Sequence, residues 1–301
     1  METVLSIKNL SKHYGRIKAL DNVSLEIKKG NVFGILGPNG SGKTTTLGMI
    51  LDVINPTSGE YNWFGNEANK DTRKKIGAIL EHPIFYPYLT AVQNLKIVCD
   101  IKEVPYDRID KVINQVGLTE RKETKYKTYS LGMKQRLAIA SALLCDPLVM
   151  ILDEPTNGLD PQGIAEIREL IIEIANSGKT ILLASHLLDE VQKVCTHFAV
   201  LRKGELVHTG LVEDVSKGAL TVEVKADHED LLSVLEKSGL ATKVKRELDK
   251  YLMTMANGNS AADVNKYLFD NGITAKHLLL QSRSLEQQFL EILAENERGA
   301  L

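Results

Sequence analysis

Residues 37–44 read Gly-Pro-Asn-Gly-Ser-Gly-Lys-Thr, a spacing that fits G-x-x-x-x-G-K-[ST]. The chemistry of this pattern is the grip on the phosphates of a nucleoside triphosphate. Gly37, Gly40 and Gly42 let the backbone curl so that successive N–H groups point at phosphate oxygens, with Pro38, Asn39 and Ser41 filling the loop. Lys43 has the reach to meet the β- and γ-phosphates as a point charge, and Thr44 carries a hydroxyl suited to Mg²⁺. Thr45 follows in the first helical turn, where the helix dipole adds partial positive charge. The bland alternative is a glycine-rich turn. The apolar run Val32 to Leu36 before the loop and the helical run Thr45 to Leu51 after it weigh against that alternative.

A second group of chemically able residues lies downstream. Leu148-Val149-Met150-Ile151-Leu152-Asp153-Glu154 is an apolar strand ending in two carboxylates. A buried strand that delivers an acid at its C-terminal edge suits an aspartate holding Mg²⁺, here Asp153. Glu154 is placed to act as general base toward water. An acidic turn after a strand is the competing reading, and the upstream loop disfavours it. Ser130-Leu131-Gly132-Met133-Lys134-Gln135 opens a helix whose hydroxyl and free N–H groups could hold a further anion. Alone, that segment is equally an ordinary N-cap. Tyr14 and His186 by themselves carry no signal.

In order along the chain stand the phosphate loop, Ser130–Gln135, the strand ending in Asp153-Glu154, Asn157-Gly158-Leu159-Asp160, and Ser185-His186. This set resembles the nucleotide-binding subunit of ATP-binding-cassette (ABC) transporters over about residues 4–217. The resemblance implies ATP and Mg²⁺ as cofactors and an ATPase activity. It implies an α/β P-loop NTPase core with a parallel sheet, an antiparallel β subdomain and a helical subdomain at about 87–147. It also implies that two such subunits pair head to tail, as a homodimer or with a paralogue. Each ATP would lie between one phosphate loop and the partner's Ser130, Gly132 and Gln135, with Asp160 at the contact. His186 would hold the attacking water with Glu154, and Tyr14 would stack on adenine. The expected further partner is a transmembrane permease, which places the chain in the cytoplasm on the inner face of the membrane.

Two positions depart from the family pattern. Leu131 replaces a usual glycine of the signature. Glu81 stands where most members carry Gln, offering a full charge in place of a neutral carbonyl. Glu81 resembles the glutamate-loop subgroup of bacitracin-resistance and lantibiotic-immunity exporters, and counts as a third metal candidate beside Thr44 and Asp153. Ser284 to Leu290 resembles the ending of drug-resistance subunits. Phe85, Tyr86, Tyr88 and Leu89 fall where the family meets its permease; packing of the helical subdomain on its own sheet is the equal alternative. A soluble ABC ATPase acting on ribosomes or DNA usually has two cassettes in one chain or a coiled-coil insert, and neither is present. A non-hydrolysing ATP-dependent regulatory module is disfavoured by intact Lys43, Asp153, Glu154 and His186.

The elements that must position these groups read as alternating strands and helices. Strands are expected at Val4–Leu10, Val23–Ile27 and Val32–Leu36, separated by turns at Asp21-Asn22 and Lys29-Gly30. Thr90 and Gln93 form a capping box, Asp160-Pro161 opens a helix that Gly178 stops, and Lys203-Gly204 turns a hairpin. From residue 218 the order becomes β-α-β-β-α-β, which reads as a separate small α+β ferredoxin-like domain over 218–301. Its last helix is expected at Leu285–Ala294.

Composition sets the outer limits. The chain has 301 residues, 43% apolar and 25% charged, with a formal charge of -2. That balance argues against a nucleic-acid partner held by bulk electrostatics. Cys99, Cys145 and Cys195 have no metal-ligand spacing and read as reduced thiols. No run of eighteen apolar residues exists, and Met1-Glu2-Thr3-Val4 lacks the layout of a signal peptide, so the chain is expected to be soluble by itself.

Overall fold

The computed structural model describes the whole chain apart from residues 1, 68, 81–83, 217–220, 229, 257 and 282–301, and gives only the backbone of 70, 215, 216 and 281. Glu81 and the expected helix at Leu285–Ala294 lie outside the described residues. Two compact units divide the chain, Met1–Gly210 and Leu211–Leu301.

In the first unit β1 (Thr3–Tyr14) and β2 (Ile17–Lys28) pair antiparallel, and β4 (Ser58–Trp63) and the short β5 (Asn66–Glu67) extend that sheet in the order β2-β1-β4-β5. The turn between β1 and β2 falls at Gly15, whose φ is 60°, and not at Asp21-Asn22. β2 continues past that pair with a shift of register against β1, Asn22 taking φ of 54°. Lys18 Nζ donates to Asp21 Oδ2, and the Asn22 N–H donates to Ser11 Oγ on β1 at 2.9 Å, so side-chain bonds bridge the irregular step and the strand does not end there.

The second sheet has the order β10-β9-β3-β8-β7-β6. Its members are β3 (Val32–Leu36), β6 (Ile76–Ile79), β7 (Val149–Asp153), β8 (Thr180–Ser185), β9 (His197–Arg202) and β10 (Glu205–Leu211). Strands β9, β3, β8, β7 and β6 run parallel. β3, β7 and β8 are buried at every residue, which is why they read as unbroken apolar runs. α1 (Lys43–Ile50) lies within the shared core, where Leu47, Met49 and Ile50 pack with Leu5, Ile7, Ile27, Ile35 and Ile151. Trp63 Nε1 donates to Ile50 O at 2.7 Å and fixes the C-terminal end of α1 against β4.

α2 (Lys70–Lys74) is a short helix that the apolar pattern does not reveal, capped by Asn69 and Thr72. Next come α3 (Ala91–Lys102), α4 (Arg108–Gln115) and α5 (Leu131–Leu143). Thr90 and Gln93 form the expected reciprocal cap of α3. α6 (Pro161–Asn176) begins on Asp160, whose Oδ1 accepts from Gly163 N at 3.0 Å, and α7 (Leu188–Val194) follows β8. No helix among the described residues is long and apolar enough to cross a membrane.

The second unit opens with α8 (Val212–Ser216) and continues with β11 (Thr221–Ala226), α9 (Leu231–Lys237), β12 (Ala241–Glu247), β13 (Lys250–Met255), α10 (Ala261–Asp270) and β14 (Ala275–Gln281). Its sheet has the order β12-β13-β11-β14, antiparallel throughout. Val222, Val224, Met253 and Met255 face Leu231, Leu235, Val264 and Leu268 in a core of its own.

Candidate functional site

The loop from β3 to α1 has the backbone that its glycines permit. Gly40 and Gly42 take φ of 77° and 107°, in the left-handed region. A Cβ on Gly42 would lie 2.7 Å from Ala19 O, and one on Gly37 would lie 2.4 Å from Leu201 O. The loop thus fits between β2 and the β9–β10 turn only without side chains at these places. Pro38, Asn39 and Gly40 are exposed at its crest, and Ser41 is buried beneath them.

Lys43 and Thr44 face β7. Lys43 is 5% exposed, and its Nζ donates to Gly37 O at 2.7 Å. The same ammonium forms an ion pair with Glu154 Oε1 at 3.2 Å. Thr44 Oγ1 donates to Asp153 Oδ2 at 2.7 Å. Thr45 continues the helix, half-buried. Thr44 and Asp153 thus offer hard oxygen donors side by side, a set that fits a small divalent cation such as Mg²⁺.

Neighbouring acids reach different partners because the backbone turns between them. Asp153 ends β7, whereas Glu154 takes φ of 48°. Glu154 N–H donates to Ala184 O at 2.9 Å, and its Oε2 lies 2.7 Å from His186 Nδ1. Lys43, Glu154 and His186 therefore form one chain of contacts across β3, β7 and β8.

A brace that sequence reasoning passes over stands behind them. Glu190, on α7, is 3% exposed and accepts from Ser185 Oγ at 2.8 Å and from Thr156 Oγ1. It clamps the segments that follow β7 and β8, and with them Glu154 and His186. The available signal was the acidic first turn of α7, which alone reads as ordinary dipole chemistry.

Ser130 caps α5, its Oγ accepting from Met133 N at 3.3 Å. Ser130, Leu131, Gly132, Leu159 and Asp160 line a cleft of ≈ 420 Å³ that includes no residue of the phosphate loop. Leu131 is 42% exposed and takes up the space that Gly158 leaves, which is how the departure from glycine is accommodated. Gln135 points inward and is buried, its Nε2 without a hydrogen-bond partner among the described residues. Tyr14 stands at the end of β1, half exposed, with Lys12 Nζ 5.0 Å above its ring centroid.

Residues 20–157 match the family model described as ABC transporter. The bacitracin transport ATP-binding protein BcrA of Bacillus licheniformis is 35% identical over 99% of this chain and 100% of its own length. The lantibiotic transport ATP-binding protein SrtF of Streptococcus pyogenes is 41% identical over 68% of this chain and 89% of its own. A dimeric structure of the ATP-binding cassette MJ0796, in a post-hydrolysis state bound to ADP and Pi, superposes with a TM-score of 0.61 at 28% identity, covering 69% of this chain and 98% of that one. On these grounds the chain belongs to the ABC transporter ATP-binding family and is an ATPase.

Proposed function

We propose that the chain energises a separate transmembrane permease that exports an antimicrobial peptide, drug or similar amphipathic compound. The observation that carries the reading is the continuous contact Lys43–Glu154–His186, set apart from the Ser130–Asp160 cleft. A single chain holds two complementary half-sites. Head-to-tail pairing of two chains brings the phosphate loop of one to the Ser130, Gly132 and Gln135 segment of the other, with Asp160 at the contact.

In that arrangement the residues divide the work. The N–H groups of residues 39–45 cradle the phosphates, and Lys43 transfers its charge from Glu154 to the transferring phosphoryl group. Glu154, released, takes the proton of the attacking water, and His186 holds its other oxygen. Mg²⁺, when bound, would offset phosphate charge; Thr44 and Asp153 would hold it, with Glu81 as a further candidate. Tyr14 stacks on the base. The export direction and substrate class draw support from the names of the bacitracin and lantibiotic relatives. Permease docking draws support from Ile84 and Tyr86, 95% and 50% exposed, which line a groove of ≈ 350 Å³ beside α3, and from Tyr88, which is 61% exposed. Phe85, in contrast, packs edge-on against Tyr126 with ring centroids 5.3 Å apart. A ferredoxin-like reading of the second unit rests on its element order and antiparallel sheet.

The test compares wild type with Glu154→Gln and Ser130→Arg, following phosphate release and the size of the particle in ATP. The proposal expects Glu154→Gln to be inactive and trapped as an ATP-bound dimer. Ser130→Arg should bind ATP as a monomer. Co-purification of a permease that Ile84→Asp abolishes supports the transport half; a monomeric Glu154→Gln overturns the paired site.

A further inference from the structure

We infer that Lys12 is a positioning residue for the nucleotide base: it holds one face of the Tyr14 ring so that the other face receives the purine. The inference rests on the reading that Tyr14 stacks on the base. Three observations carry it.

Lys12 is anchored. Its Nζ donates to Asn55 O at 2.6 Å, in the segment that leaves α1 and leads to β4. The same segment is tied to the end of β1 twice more. Thr57 Oγ1 accepts from His13 N at 3.0 Å, and Thr57 N donates to Ser11 O at 2.8 Å. The ammonium therefore has a fixed seat and does not sweep the surface as a free lysine does.

From that seat it lies 5.0 Å from the Tyr14 ring centroid, within range of a cation–π contact. Tyr14 as a residue is 50% exposed. One face is thus covered by a charge and the rest remains accessible at the tip of the β1–β2 hairpin, directly before the tight turn at Gly15. His13 and Lys18, the other basic side chains nearby, are turned to Asp21.

Two physical consequences follow. A solvent-exposed tyrosine must lose rotamer freedom when a base stacks on it, and a ring already held by Lys12 loses less. A cation on one face also draws electron density from the ring, which favours an electron-rich purine on the opposite face. Neither effect acts on the phosphates, so the contribution of Lys12 belongs to the base.

The experiment is equilibrium binding to the full-length protein of ATP and of inorganic tripolyphosphate. Wild type is compared with Lys12→Met, Lys12→Arg, Tyr14→Ala and the Lys12→Met/Tyr14→Ala pair. Lys12→Met keeps the apolar stem and removes the charge. The expected result is a loss of ATP affinity of about threefold in Lys12→Met, recovery in Lys12→Arg, and unchanged tripolyphosphate binding. In the Tyr14→Ala background, Lys12→Met should have no further effect. Equal weakening of ATP and tripolyphosphate overturns the inference, because Lys12 would then act as a general charge on phosphate. So does an unchanged ATP affinity in Lys12→Met while Tyr14→Ala weakens it. If Tyr14→Ala binds ATP as wild type does, the stacking reading itself falls.

Discussion

Glu154 holds Lys43 on one carboxylate oxygen and His186 on the other, at 3.2 and 2.7 Å. The histidine contact fixes the carboxylate without using the oxygen that faces Lys43. His186→Ala should therefore slow hydrolysis by about tenfold or more while leaving ATP affinity near that of wild type. Phosphate-release kinetics beside equilibrium binding check this, and a parallel loss of affinity would place His186 in binding alone.

Gly42 and Gly40 allow a graded test of the loop. Gly42→Ala combines φ of 107° with a Cβ 2.7 Å from Ala19 O, whereas Gly40→Ala meets nothing within 4 Å and bears only the strain of φ 77°. Gly42→Ala should cost the larger share of about 1–3 kcal/mol and abolish nucleotide binding, with Gly40→Ala closer to wild type. Thermal melting and calorimetric titration separate the two.

Thr44 and Asp153 offer a test by metal removal. Chelation should weaken ATP binding to wild type by about tenfold, and by much less in Thr44→Val, which has already lost one of the two oxygen donors. Equal sensitivity in both proteins would move the cation elsewhere.

The thiols differ in reactivity for a physical reason. Burial pushes the Cys99 and Cys195 thiols up, and Glu190 adds to the effect at Cys195, so both stay protonated at pH 8. Cys145 is partly exposed. Iodoacetamide at that pH should label Cys145 alone in the native protein, read by peptide mass spectrometry, with Cys99 and Cys195 following on unfolding.

What was legible in the sequence follows from what local chemistry decides. The phosphate loop, the buried runs of β3 and β7, the Thr90–Gln93 cap and the Asp160-Pro161 start of α6 are each set by residues within one turn or strand. The first hairpin was misplaced because Asp21-Asn22 reads as a turn unless Ser11 is known to lie opposite. α2 escaped because Lys70–Lys74 has no apolar face. Glu190 and Lys12 escaped because their partners, Thr156 and Asn55, are 34 and 43 residues away. Distance along the chain, rather than weak chemistry, hid them.

The ion pair between Lys43 and Glu154 also bears on turnover. Lys43 meets an incoming phosphate already neutralised, with Gly37 O and Glu154 as its partners. Capture is thus an exchange of one anion for another, and its net gain is smaller than a bare buried ammonium would give. The same exchange runs backward when the product leaves, because Glu154 stands ready to reclaim the lysine. A loop with its own resident competitor should hold spent nucleotide more briefly than one without, and short residence suits an ATPase that must turn over.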